Sequence, residues 1–434
     1  MNEFLNSDIE DPILTVYCTV YNHAQYLEDA IQGFLIQETE YKFQVFFFDD
    51  ASTDGSSEIL RRYGALYPEL FKVYISPQNI YNLPERMSIL KGVEDKYLKG
   101  KYIAMCEGDD FWTDKNKLQL QIDYLEKNPD VVMCCHSSVW WDLFKSEEKV
   151  FELYSSDCDI PPEEIIAPPR KIPRTSSFVL YKEVYEQALY GIFPKTNCGD
   201  YPILLSAIRM GRIHYFAKNM STYRFGTEGS WSAVNLTSNR FFLQSVYTNI
   251  HFFVESTNCF DGKYVEAFRE RLNSYLYYSA WHERNIPVDE WDELAREVIQ
   301  EIGEEPYSVY TDRLRLVHRI FNSGEGLSKD EIDILRDAEN IVVFGTGDYS
   351  TGVLKLIDKN NCRYKLNGFL ESKPSRTRYM DLPVWSVNGY EGDKNRTIVV
   401  VGVGPMLKAE VSRILDKCEY CYIAPYWKDY WGNK

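Results

Sequence analysis

Two acidic pairs stand where apolar runs stop in this chain of 434 residues: Asp49-Asp50 at the end of FQVFFF, and Asp109-Asp110 within EGDDFW. Adjacent carboxylates at a strand end are hard oxygen donors, suited to a Mg2+ or Mn2+ ion that keeps waters and binds substrate phosphates. Such an ion would neutralise charge building on a departing diphosphate. Taken alone, an acidic pair equally suits a solvated turn. Arg86, in LPERMS, carries a planar guanidinium that fits a diphosphate bidentately, though it could also be a helix-surface arginine. Asp200, in KTNCGDYPILLSAI, opens a helical pattern, a place where Asp also favours capping.

The elements that must position these groups alternate. ILTVYCTVYN reads as a strand, and Leu27, Ile31 and Leu35 recur four apart in the helix after it. FQVFFF is a second strand, ASTDGSS a turn rich in capping side chains, and Ile59, Tyr63 and Leu66 share one face of the next helix. FKVYIS, a helix around RMSILKGVEDKYL, and KYIAMCEGDD continue the series. Asp114 is placed to cap a helix carrying Leu118, Ile122 and Leu125, stopped by Pro129, and VVMCCHSSVWW resumes strand. This alternation implies right-handed βαβ units in a mostly parallel sheet, with ligands at the strands' carboxyl ends. Both acidic pairs should therefore face one crevice.

The segments TVYNHAQYLEDAI, VFFFDDASTDGS and YIAMCEGDDFW, in this order and spacing, resemble the GT-A fold of inverting family 2 glycosyltransferases over roughly residues 12–235. The resemblance implies a nucleotide-sugar donor, Mn2+ or Mg2+, and a saccharide or lipid-linked saccharide acceptor in bacterial surface polysaccharide synthesis. Residue by residue, it implies that Thr19 and Tyr21 line the nucleotide base and that Asp50 accepts a hydrogen bond from a uracil-type ring. Asp109 and Asp110 match the metal and ribose-diphosphate aspartates, and Arg86 falls where relatives carry a basic residue near the phosphates. Asp200, in GDYP, matches the base that deprotonates the acceptor hydroxyl. Plain strand packing is the other reading of Thr19 and Tyr21, and turn capping that of Asp49. In the later loop STYRFGTEGSWS, with Tyr223, Arg224 and Trp231, Trp231 suits sugar stacking or loop anchoring. A catalytically inactive scaffold of a polysaccharide assembly complex is the alternative function.

The expected division is a GT-A domain at 1–235, a helical linker domain at 236–337 and a small α/β domain at 338–434. In the last, FGTGDYSTG has Ser350 where a dinucleotide fingerprint needs its third glycine, and Glu371 lies where a ribose-binding acid would be. It resembles Rossmann-like domains appended to surface-polysaccharide enzymes, and scaffolding or homo-oligomerisation is its expected role. A net charge of −17 argues against nucleic acid as a partner. Acidic residues at the start and no apolar stretch near the ~18 residues of a membrane span place the expected protein in the cytoplasm, with room for peripheral membrane contact. Ten scattered Cys fit a reducing compartment. Cys418 and Cys421 have the spacing of half a zinc or redox site but lack a second half, while His23 and His136 lack ligand partners and are expected to be structural.

Overall fold

The structure, a computed structural model, describes residues 11–167, 172–193, 199–228, 238–283, 319–404 and 407–425, with a few single positions between them. Trp231 and residues 426–434 lie outside that set. The chain is mixed α/β and separates into two compact units. One comprises Met1–Ile166, Arg170–Ser238 and Glu255–Lys263; the other comprises Ala167–Pro169, Asn239–Val254 and Tyr264–Lys434.

The first unit opens with β1 (Leu14–Val20), α1 (Leu27–Leu35), β2 (Phe43–Asp49), α2 (Ser56–Leu66) and β3 (Phe71–Ile75). β1 and β2 are buried along nearly their whole length, as strands covered on both faces must be. Next come α3 (Arg86–Tyr97), β4 (Tyr102–Met105), β5 (Phe111–Trp112), α4 (Lys117–Lys127), β6 (Val131–Asp142), β7 (Glu147–Phe151), β8 (Cys158–Asp159) and α5 (Pro162–Ile166). β9 (Val179–Tyr181), α6 (Lys182–Tyr190), α7 (Asp200–Met210) and β10 (Arg212–Phe225) complete it. The strand order is β3-β2-β1-β4-β9-β6-β10-β5, with β7 against β6 and β8 against β10. From β3 to β4 every pairing is parallel, so the carboxyl ends of β1, β2 and β4 open onto one edge. β9 then runs antiparallel between β4 and β6.

The core sits where α1 presents Leu27, Ala30, Ile31 and Phe34 to the sheet. Phe34 meets the Trp112 ring edge-on at 4.9 Å. A Cβ on Gly33 would stand 2.8 Å from the Trp112 backbone, so only glycine lets α1 seat on β5. Trp112 Nε1 donates to the Ser176 carbonyl at 2.8 Å. Beneath it, fully buried Lys117 places Nζ 4.1 Å from the indole centroid and donates to Gln121 at 2.8 Å. Burial pulls its pKa down to about 7. The expected cap at Asp114 falls slightly early: Asn116 precedes the helix, and the Asp114 carboxylate instead closes a turn onto the Asn116 amide at 2.8 Å. Residues 255–263 belong to this unit too. The Cys259 carbonyl accepts from Arg209 Nε at 3.2 Å, and the Phe260 ring lies 6.2 Å from that of Phe193.

The second unit contains residues 239–254 of α8 (Asn239–Asn258), α9 (Val265–Glu283) and α10 (Lys329–Asp337), the last started by a Ser328–Glu331 capping box. It continues with β11 (Asn340–Phe344), α11 (Asp348–Lys359), β12 (Leu366–Glu371), β13 (Arg378–Tyr379), β14 (Leu382–Ser386), β15 (Thr397–Val401), α12 (Lys408–Lys417) and β16 (Cys421–Ile423). Its sheet order is β13-β14-β12-β11-β15-β16, parallel except for β13. Among the described residues no helix is long and apolar enough to cross a membrane.

Candidate active site

The loops after β1 and β2 are sewn together before any ligand is considered. Asn22, in the left-handed region at φ 57°, donates its amide to Ser52 Oγ at 2.9 Å and accepts the Thr53 amide on Oδ1 at 2.8 Å. The His23 amide donates to Ser56 Oγ at 2.9 Å and the Ala24 amide to Asp54 at 2.8 Å. Asp49 is fully buried and accepts from the Ser52 amide and hydroxyl at 3.0 and 2.6 Å and from Ser57 Oγ. Turn capping therefore accounts for Asp49.

Asp50 is half-buried, with Oδ1 accepting the Ile80 amide at 2.7 Å. Burial raises its pKa, and the Arg86 guanidinium opposes that rise. Arg86 opens α3 and stacks over Tyr81 at 4.7 Å, so it stands with Asp50 on the β2 side of the edge. Thr19 is half-buried and its carbonyl accepts the Gly108 amide at 2.9 Å; Tyr21, just beyond β1, is 41% exposed.

On the other side of β1 the acid loop follows β4. Asp109 and Asp110 are 8% and 1% exposed. Asp110 is the deeper: Oδ1 accepts the Arg224 amide at 2.9 Å, and burial, then Asp109 and Glu107, push its pKa well up. Glu107 is pushed to about 8 by burial, followed by Asp109 and Asp200. Asp200 stands in the first turn of α7, within reach of Glu107 for its charge to be felt. β1 lies between β2 and β4, so the loops that carry Asp50 and Asp109 leave strand ends two apart, about 10 Å at ~4.8 Å per strand. This separation suits a nucleoside at one acid and its phosphates at the other.

Several groups around the acids make contacts that the sequence does not announce. Glu107 received no role from the sequence, although a third carboxylate two positions before Asp109 was the available signal. Arg224 Nη1 donates to the Asp109 carbonyl at 2.8 Å, and its Nη2 pairs with Asp29. Thr227 Oγ1 donates to Asp109 Oδ2 at 2.7 Å. His23, expected to be structural, places Nε2 3.9 Å from Asp109 Oδ2, and its buried Nδ1 has no hydrogen-bond partner. His136 is buried, contacts the Ser137 carbonyl at 2.7 Å, and is held neutral by burial. Behind β1, Glu94 gathers three phenols, from Tyr17 at 2.9 Å, Tyr185 at 2.8 Å and Tyr190 at 2.6 Å.

A divalent cation fits this chemistry. Burial and neighbouring carboxylates push the pKa values of Glu107 and Asp110 up, a penalty that a positive charge supplied to the acid loop would relieve. Among the described residues no cluster of three or more His, Cys, Asp or Glu forms a metal cage, and Cys418 and Cys421 do not belong to one. A hard cation shared between one or two carboxylates and substrate phosphates needs no such cage.

Residues 15–147 match the family model for glycosyl transferase family 2, so this region is glycosyltransferase-like. An uncharacterized protein of Mycobacterium tuberculosis is 28% identical over 296 residues, covering 68% of this chain and 76% of its own. The putative teichuronic acid biosynthesis glycosyltransferase TuaG of Bacillus subtilis is 26% identical over 114 residues, 26% of this chain and 42% of TuaG. Among solved structures, residues 1–349 of S. aureus TarS in complex with UDP-GlcNAc superpose with a TM-score of 0.52 at 15% identity, over 73% of this chain and 93% of that one. The likeness to TarS is one of fold.

Proposed function

We propose that this chain transfers a sugar, with inversion, from a nucleoside-diphosphate donor to a hydroxyl of a saccharide or lipid-linked saccharide in surface polysaccharide synthesis. The observation that supports the reading is that the loops bearing Asp50 and the Glu107–Asp109–Asp110 acids leave the same carboxyl edge of a parallel sheet, with Asp200 near enough to Glu107 to raise its pKa. UDP-sugar is the proposed donor, supported by the UDP-GlcNAc named with TarS; the acceptor class is supported by TuaG's name.

Asp50, Thr19 and Tyr21 take the base, and Arg86, beside Asp50, adds positive charge on that side. Asp109 and Asp110, with Glu107 beside them, are the residues that would hold Mn2+ or Mg2+. When bound, the cation neutralises charge on the leaving diphosphate. Asp200 accepts the proton of the acceptor hydroxyl as its oxygen bonds to the anomeric carbon from the side opposite the diphosphate. The bond from that carbon to the phosphate oxygen breaks, and the diphosphate departs with the electron pair. An acceptor anchored in lipid would be reached at the inner membrane face by a chain working from the cytoplasm.

The test is a donor screen for diphosphate release with and without Mn2+, repeated with Asp200→Asn. Transfer should fall by about 10²–10⁴-fold in the variant while donor binding persists. Full transfer by Asp200→Asn removes Asp200 from the mechanism, and nucleotide binding without turnover by the parent chain would favour the scaffold alternative.

A further inference from the structure

Arg224 and Thr227 reach the acid loop from the end of β10 and the turn after it, 114 and 118 positions away in sequence. They hold the loop at three points. The Arg224 amide takes Asp110 Oδ1 at 2.9 Å, Arg224 Nη1 takes the Asp109 carbonyl at 2.8 Å, and Thr227 Oγ1 takes Asp109 Oδ2 at 2.7 Å. Both residues are buried, at 4% and 1% exposed. The guanidinium is fixed in turn by the rings of Phe111, Tyr26 and Trp141 at 4.5, 5.1 and 5.3 Å and by Asp29 in the first turn of α1.

We infer that Arg224 and Thr227 are positioning residues that set the Asp109 carboxylate for a cation-bound diphosphate; this rests on the donor-site reading above. An aspartate side chain has two rotatable bonds, and a hydrogen bond to one oxygen aims the other. Thr227 engages Oδ2 and so directs Oδ1, while Arg224 fixes the main chain carrying it. A group that orients a metal-binding carboxylate typically contributes about 10–100-fold to affinity. The arrangement also explains a fully buried arginine whose every described partner belongs to α1, the acid loop or the aromatic rings around them.

The experiment measures UDP affinity of the full chain by calorimetry, in Mn2+ and in EDTA. The parent should bind UDP more tightly in Mn2+. Thr227→Val, of the same shape without the hydroxyl, should lose about 10-fold or more of that enhancement with little change in EDTA, and Thr227→Ser should restore it. A purely structural role would weaken binding equally in both buffers. Should Thr227→Val fail to fold, Asp29→Asn, which loosens Arg224 from the exposed side of α1, should reduce the enhancement about 3-fold or more. Enhancement within 2-fold of the parent in the folded variant overturns the inference, as does a parent that binds UDP indifferently to Mn2+. A parent that binds no UDP overturns the donor-site reading itself.

Discussion

The two units each set a glycine-bearing or hydroxyl-rich turn between a buried strand and a helix, at the carboxyl edge of a parallel sheet, yet the acids there meet opposite circumstances. In the second unit Glu371 accepts from the Thr346 hydroxyl and, at 3.3 Å, from the Ser375 amide, while Ser350 Oγ donates to the Gly345 and Gly347 carbonyls. The loop satisfies itself, and the serine replacing the expected third glycine helps it do so. In the first unit Glu107, Asp109 and Asp110 share one short loop, Asp110 Oδ2 is buried without a hydrogen-bond partner among the described residues, and Glu107 is pushed to about 8. Topology offers both edges as sites. What distinguishes them is whether the local polar groups are already matched.

The largest effect should come from removing support beneath the acid loop. Phe34→Ala empties the space against Trp112 and should cost about 3–5 kcal/mol, lowering the first unit's denaturation midpoint and sparing a transition that reports on the second. Equal shifts in both would break the contrast between units. Next, Asp109→Asn should cut transfer about 10²–10³-fold, whereas Glu371→Gln should leave it within about 2-fold, both read by diphosphate release.

A smaller, pH-dependent effect belongs to Lys117. With its folded pKa lowered to about 7 from the ordinary 10.5, the ammonium is disfavoured on folding. Between those values the unfolded chain holds the proton that the folded chain has released, so this group's contribution to stability rises with pH. Lys117→Met removes the trend. Denaturation at pH 7 and pH 10 should show the parent gaining about 2–4 kcal/mol on the variant, and a constant difference would show that Lys117 does not titrate in this range.

Much of the first unit was legible because its signals are local. The apolar runs of β1 and β2, the four-residue spacing of Leu27 and Ile31, and acids placed at strand ends all follow from a few neighbouring residues. The three-residue β9, inserted antiparallel between β4 and β6, has no such signature. Nor do Arg224 and Thr227, whose meaning depends on an acid loop more than a hundred positions earlier. Arg86 was singled out through the resemblance, but its stacking over Tyr81 and its charge felt at Asp50 depend on the loop before α3, which no local pattern reports. Glu107 could have been found by counting carboxylates around the glycine rather than reading the pair alone.

Residues 255–263 return to the first unit after the chain has left it, bringing Cys259 to Arg209 and Phe260 to Phe193. A fragment ending at residue 235 would discard that returning piece and bare the surface it covers. Poor solubility or lost turnover in such a fragment would therefore report a missing patch of the catalytic body, and say nothing about whether the remainder of the chain takes part in the reaction.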